Sequence, residues 1–263
     1  MIIVAGRTHL VTGSASGIGR ATRELLESRG DRVVGVDVRD ADIVCDLADP
    51  GQRAGLRERV AALAPAGIDA VHAVAGVAVP QTITVRVNFF GAVATLRELR
   101  ELLTGSAAPR AVAVSSLAAL TPVSPELLAA LRAEDEARAI EVSDALVEGG
   151  EGGLIYSTTK RAIAEWVRER SVTPEWAGAG IPLNAVGPGV IRTPMTAELM
   201  ASPESREALF RGAPVPLNGP AEPINVAYLL AWLTSEENRH TTGQVIFSDS
   251  GADATLRGPR IFD

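Results

Sequence analysis

The sequence predicts an α/β fold: a doubly wound, parallel sheet of seven strands with helices on both faces. Three observations carry that expectation. Short β-branched runs alternate with longer stretches of helical periodicity, the strand-like runs are almost continuously apolar, and a glycine-rich turn joins the first strand to the first helix. Strands that are apolar on both faces belong in a sheet covered on both sides, and helices between them supply the crossovers that parallel strands need.

The elements follow in order. Residues 8–13 (THLVTG) read as a strand and 18–30 as a helix with Ile18, Ala21, Leu25 and Leu26 on one face. Strands are expected at 31–37 and 41–45, a helix at 51–64, a strand at 68–76, a helix at 84–103 and a strand at 110–116. A helix around Tyr156 and Lys160 comes next, then the run 181–189, a helix at 224–235 and a last strand at 243–249. No repeat and no linker interrupts the series, so one domain is expected over 1–263. Residues 121–153 break the rhythm. They are rich in Ala, Leu and Glu, and read as one or two acidic helices closed by a glycine-rich hinge, with a structural or interface role.

Composition narrows the function classes. The 263 residues are 46% apolar and 22% charged, which suits a globular protein with a sizeable core. A net charge of −7 argues against a nucleic-acid-binding surface and gives no reason to expect attraction to an anionic membrane. The first residues carry no leader-like pattern and no run approaches a membrane span, so a cytoplasmic protein is expected. Cys45 is the only cysteine, which rules out an internal disulfide or a multi-thiolate site. His9, His72 and His240 lack the spacing of a metal motif and read as structural or surface residues; no metal is expected.

The chemistry begins at VTGSASGIGRA. Gly13, Gly17 and Gly19 let the backbone turn tightly and approach a pyrophosphate at the helix N-terminus, where free N–H groups and the helix dipole favour an anion. The strand-to-helix position makes this a nucleotide-binding motif rather than three scattered glycines. Asp37 ends the second strand, where an acidic side chain accepts from both adenosine ribose hydroxyls and repels a 2′-phosphate. The loop offers Ser14, Ala15 and Ser16 but no basic residue, so NAD is favoured over NADP; Arg39 is the feature that speaks against it, or is a solvated strand-end side chain. Asp46 and Leu47 end the third strand, either at an adenine edge or in a surface turn.

Tyr156 and Lys160, in YSTTK, lie one helical turn apart on one face. A free phenol titrates near pH 10, and bringing it to about 7 needs roughly 4 kcal/mol of selective phenolate stabilisation. Lys160 is placed to supply positive charge for that.

With these residues stand VNFFG (Asn88), VSS (Ser116) and NAVGPGVIRTPM (Pro188, Gly189, Ile191, Thr193), and together they resemble the short-chain dehydrogenase/reductase family over nearly the whole chain. The resemblance implies a nicotinamide-dependent alcohol dehydrogenase or carbonyl reductase. Tyr156 would be its general acid/base and Ser116 would hold the reacting oxygen, with Ser115 as the alternative. Lys160 would also bond the nicotinamide ribose, and Asn88 would be the helix-bending asparagine whose carbonyl holds a water leading to Lys160. It further implies cofactor contacts from Ser16, Ile18, Ala75 and Gly76, and carboxamide binding by Thr193 and the backbone of Ile191. One departure is plain: AVAG, with Ala73 and Val74, replaces the usual Asn-Asn-Ala-Gly, so side-chain bonds bracing the sheet are expected to be missing.

Within the family, GVDVRDADIVCDLAD, the insert and the tail GADATLRGPRIFD are similar to the bacterial 3α-hydroxysteroid dehydrogenase and carbonyl reductase branch. This implies a hydroxysteroid or similar cyclic secondary alcohol as substrate. It also implies a homo-oligomer, dimer or tetramer, with the insert obstructing the usual four-helix contact. Coniferyl-alcohol dehydrogenases share much of the pattern, and an NAD-sensing regulator without turnover is a third reading. Residues 194–217, with Met195, Met200, Leu209 and Phe210, resemble the family's substrate-covering segment or form a plain amphipathic surface helix. Trp166 and Trp176 read as core or interface residues.

Overall fold

The computed structural model describes residues 6–259. The last four residues of the C-terminal tail therefore lie outside the described residues. Seven parallel strands form one sheet: β1 (Thr8–Thr12), β2 (Arg32–Asp37), β3 (Ile43–Val44), β4 (Ala70–Ala73), β5 (Arg110–Val114), β6 (Leu183–Pro188) and β7 (Val245–Ser248). Their spatial order is β3-β2-β1-β4-β5-β6-β7. The order reverses beside β1, and in an open parallel sheet the crevice above such a switch point, at the carboxyl ends of the strands, is where ligands bind.

Alternate strand residues face opposite ways and fill two cores. Leu10, Val71, Ala111 and Leu183 point to one face, under Phe89, Leu96, Leu99, Ile155 and Ile163. Val11, Val112, Val114 and Val186 point to the other, under Leu26, Val226, Leu230 and Leu233. His9 and His72 share this second face, on the paired strands β1 and β4, and their ring nitrogens Nδ1 and Nε2 approach to 3.0 Å. Sixty-three positions apart in sequence, they are neighbours in space. Burial, then the proximity of His9 and Arg7, holds the His72 imidazole well below its ordinary titration range. Among the described residues no three His, Cys, Asp or Glu side chains gather in a metal-binding cluster, and no helix is long and apolar enough to cross a membrane.

Helix α1 (Gly17–Ser28) follows β1. The single helix expected at 51–64 is two, α2 (Pro50–Ala54) and α3 (Leu56–Leu63), because Gly55 sits between them at φ −89°, ψ 3° and turns the chain. Between β4 and β5 a continuous helical segment comprises α4 (Ile83–Val85), a π-helical turn (Arg86–Gly91), α5 (Ala92–Leu99) and a 3₁₀ turn (Arg100–Leu103). A 3₁₀ turn (Leu117–Leu120) follows β5.

The insert is a pair of helices, α6 (Pro125–Arg132) and α7 (Glu136–Glu148), before the long α8 (Gly153–Arg170). Ser124 and Asp135 cap their N-termini by accepting from Leu127 N and Arg138 N. The acidic residues at the junction of the pair turn inward. Glu136 accepts two bonds from the buried Arg53 guanidinium, at 2.7 and 2.8 Å, and Glu134 accepts from Arg97, Arg170 and the indole of Trp166. Trp166 and Trp176 are both buried and pack edge to face, with centroids 6.3 Å apart. They are core residues.

After β6, residues 194–217 hold two 3₁₀ turns (Pro194–Thr196 and Glu198–Met200) and α9 (Pro203–Gly212), of which no residue is buried. Helix α10 (Pro223–Leu233), β7 and the short α11 (Ala252–Arg257) complete the chain.

Candidate active site

A cavity of about 500 Å³ opens at the carboxyl ends of β1, β4, β5 and β6. Its floor is the glycine loop. Gly13 adopts φ +70°, and a Cβ there would lie 2.9 Å from the Ala75 Cα; on Gly19 it would come within 2.0 Å of the Gly13 carbonyl oxygen. The loop is thus packed too closely for any side chain at either position. Ser16, extended at φ −150°, makes no side-chain cap to α1, which leaves the first N–H groups of that helix without a side-chain acceptor at the cavity edge. This cradle fits the pyrophosphate of a dinucleotide.

Asp37, at the end of β2, accepts from Ala15 N at 3.0 Å and from Val38 N at 2.7 Å, so the glycine loop itself positions the carboxylate. The cavity wall includes Gly13, Ser16–Gly19, Ala75, Gly76, Ser116, Tyr156, Lys160, Pro188, Gly189, Ile191 and Thr193. Asp37, Asp46, Leu47 and Asn88 are not part of that wall. Asp46 accepts from Ala48 N in its own turn, and Leu47 is buried against Gly91.

Tyr156 and Lys160 project from α8 into the cavity beside Ser116, the last residue before the 3₁₀ turn. The Lys160 ammonium donates to the Val114 carbonyl at 3.0 Å and lies 5.7 Å from the centre of the Tyr156 ring. Burial brings the lysine down from 10.5 to about 8. Burial likewise pushes the Tyr156 phenol up, with the Ser116 hydroxyl working the other way. In the protein alone, therefore, desolvation outweighs the lowering that the lysine charge was expected to give.

Ser115 and Ser116 are separated by their bonds. The buried Ser115 hydroxyl donates to the Lys160 carbonyl at 2.7 Å, whereas Ser116 accepts from Ala118 N and faces the cavity beside the Tyr156 phenol. Three further ties run between this segment and α8: Arg161 to the Ala119 carbonyl, Ser157 to the Pro122 carbonyl and Ser124 N to Thr158. They fix the turn that carries Ser116 against the helix that carries Tyr156.

Asn88 sits in the π-helical turn, buried, with Oδ1 accepting from Val77 N and Nδ2 donating to the Val77 carbonyl. π-turns often mark functional positions. A Cβ on Gly76 would meet Asn88 Oδ1 at 3.2 Å and Lys160 Nζ at 3.3 Å, so the two polar groups flank the same glycine.

The missing sheet brace is replaced. Thr12 Oγ1 accepts from both Val74 N and Ala75 N, at 3.0 and 3.1 Å, so the backbone opposite β1 is held although positions 73 and 74 carry no amide. Of the apolar residues expected over the site, only Met195 lines it, together with Val77–Val79, Pro194, Thr196 and Glu198. The apolar pattern of 194–217 gives no signal for Glu198, a carboxylate on the cavity wall.

A family model described as enoyl-(acyl carrier protein) reductase matches residues 13–253. The chain is 34% identical over 254 residues to a 3-alpha-hydroxysteroid dehydrogenase/carbonyl reductase of Comamonas testosteroni, covering 94% of this chain and 97% of that one. It is 32% identical to a cis-4-hydroxycyclohexanecarboxylate dehydrogenase of Sinomonas cyclohexanicum, over 95% of this chain and 98% of the other. Among solved structures, the 3-alpha-hydroxysteroid dehydrogenase of Pseudomonas sp. B-0831, complexed with NADH, superposes with a TM-score of 0.88 at 37% identity, covering 96% of this chain and 99% of that one. Fold, glycine cradle and sequence likeness agree: the chain belongs to the short-chain dehydrogenase/reductase family of oxidoreductases.

Proposed function

We propose that this protein is an NAD(H)-dependent dehydrogenase that interconverts a secondary alcohol and a ketone, with a 3α-hydroxysteroid or similar cyclic alcohol as substrate. The observation that carries the reading is the convergence of Ser116, Tyr156 and Lys160 on one wall of the cavity whose floor is the glycine loop. The names of the Comamonas and Sinomonas relatives support a cyclic alcohol, and the NADH in the Pseudomonas structure supports the unphosphorylated cofactor.

Gly13 and Ser16–Gly19 would hold the pyrophosphate, Asp37 the adenosine ribose, and Asp46 and Leu47 would border the adenine end. Ala75, Gly76, Pro188, Gly189, Ile191 and Thr193 would enclose the nicotinamide half. A bound oxidised nicotinamide would supply the acceptor for the hydride leaving the alcohol carbon. Tyr156 takes the hydroxyl proton in that direction and returns it to the carbonyl oxygen in the other. Ser116 donates to the reacting oxygen and stabilises charge developing there. Lys160, anchored on Val114, keeps positive charge beside the phenol and bonds the nicotinamide ribose. Asn88 holds the Gly76–Val77 backbone and the route by which the lysine exchanges protons with solvent.

The protein is a cytoplasmic homo-oligomer in this reading. Its contact uses the half-exposed edge strand β7 and the exposed Tyr228 and Trp232 of α10. The insert helices α6 and α7 pack on α8 and obstruct the usual four-helix contact, which leaves the β7 and α10 surface for assembly.

The test is Tyr156→Phe, assayed by NAD reduction with androsterone, cyclohexanol and coniferyl alcohol. Turnover falls about a thousandfold or more while NAD affinity holds. Retained turnover would show that another group is the base. Wild-type preference for coniferyl alcohol would move the substrate and leave the mechanism in place.

A further inference from the structure

Two of the side chains lining the cavity carry charge, Lys160 and Glu198. Lys160 is buried and committed to the Val114 carbonyl and, in the proposed mechanism, to the reacting end of the site. Glu198 is exposed to solvent, in the 3₁₀ turn that follows Met195. No arginine is among the residues that line the cavity. The remaining wall around the substrate end, Val77–Val79, Pro194 and Met195, is apolar.

A substrate carboxylate at that end would thus meet a like charge and, with Lys160 committed to the reacting end, no counter-ion among the lining side chains. Such a pairing is unfavourable, and selection against a competitor by a repulsive group is a common source of specificity. From this we propose that Glu198 is a specificity-determining residue that excludes carboxylate-bearing alcohols and restricts the enzyme to neutral cyclic ones. The inference rests on the assignment of the cavity as an alcohol site. It also separates this chain from a cyclohexanecarboxylate dehydrogenase despite their 32% identity.

The test uses two ketones that share one ring, 4-oxocyclohexanecarboxylate and its methyl ester. Binding is measured calorimetrically to protein saturated with oxidised NAD, where the ketone cannot be reduced. The ester binds about tenfold more tightly than the acid at low ionic strength, and added salt narrows the ratio. Glu198→Gln brings the two within about twofold, and Glu198→Lys reverses the preference. Equal binding by the wild type, or a ratio that persists in Glu198→Gln, would overturn the proposal. Turnover of the corresponding alcohols and of androsterone is followed in parallel. Discrimination in binding without turnover of any alcohol would count against the dehydrogenase reading alone, and turnover without discrimination against the role of Glu198 alone.

Discussion

Replacing Lys160 by methionine should make the protein more stable at neutral pH while removing its activity. The methionine side chain has nearly the length of the lysine stem and fills the same buried channel. In the folded protein burial lowers the lysine from 10.5 to about 8, which corresponds to about 3 kcal/mol spent on keeping an ammonium out of water. Its partner among the described residues, the Val114 carbonyl, loses a hydrogen bond in the variant, a loss of about 1 kcal/mol. The net gain at pH 7 is about 2 kcal/mol. The sign of its pH dependence follows from linkage. Between about 8 and 10.5 the unfolded chain binds the proton and the folded chain does not, so wild-type stability rises with pH across that window. The penalty is fully present below about 8 and is largely relieved by pH 9.5, where the variant's advantage falls to about zero. Urea unfolding of both proteins at pH 7 and 9.5 measures this directly. A Lys160→Met protein less stable than wild type at pH 7, or a difference that does not change with pH, would refute the reasoning.

Three other outcomes follow from the site. Thr12→Val keeps the shape but removes the acceptor shared by Val74 N and Ala75 N, so the urea midpoint should fall by the equivalent of about 2 kcal/mol and those two amides should exchange faster. Unchanged stability would mean that water or another group satisfies them. Asp37→Ala should weaken NAD binding and relax discrimination against NADP about tenfold or more, read from the two dissociation constants; an unaltered ratio would place the determinant elsewhere. Because burial raises the Tyr156 phenol, the protonated acid prevails at neutral pH. Ketone reduction should therefore be fastest near neutrality, and alcohol oxidation should climb as pH rises from 7 to 9. The reverse order in initial rates would exclude Tyr156 as the acid/base.

The order of strands and helices was legible because each element declares itself within a short window: an apolar run, a 3.6-residue period, a glycine turn. Gly13, Gly19, Tyr156 and Lys160 could be picked out for the same reason, since their spacing is local. What could not be read depends on distant partners. His9 and His72 meet because β1 pairs with β4, and nothing near either residue announces it. The bond that ties Ser115 to a carbonyl of α8 is likewise invisible in the sequence. The π-turn at Asn88 and the break at Gly55 alter helices whose periodicity looks continuous. The absent asparagines at 73 and 74 suggested a weakened sheet, because the compensating hydroxyl belongs to a residue more than sixty positions earlier. The direction of the tyrosine's shift in the protein alone was not legible either. Charge proximity can be counted from spacing, whereas desolvation depends on everything packed around the group.

The insert has become difficult for the chain to lose. Its Glu134 and Glu136 answer arginines on α2, α5 and α8, and Arg53 among them is 6% exposed. A deletion that left a direct passage from β5 to α8 would take these partners away, and stranding the buried Arg53 cation alone costs several kcal/mol. Shortening would need simultaneous replacements on three helices separated widely in sequence. Acquisition of such a segment can proceed by small steps, each new carboxylate improving a pair, but the reverse path begins with a deep loss. The arrangement works as a ratchet, and descendants of this chain should vary the exposed faces of α6 and α7 freely while keeping the segment itself.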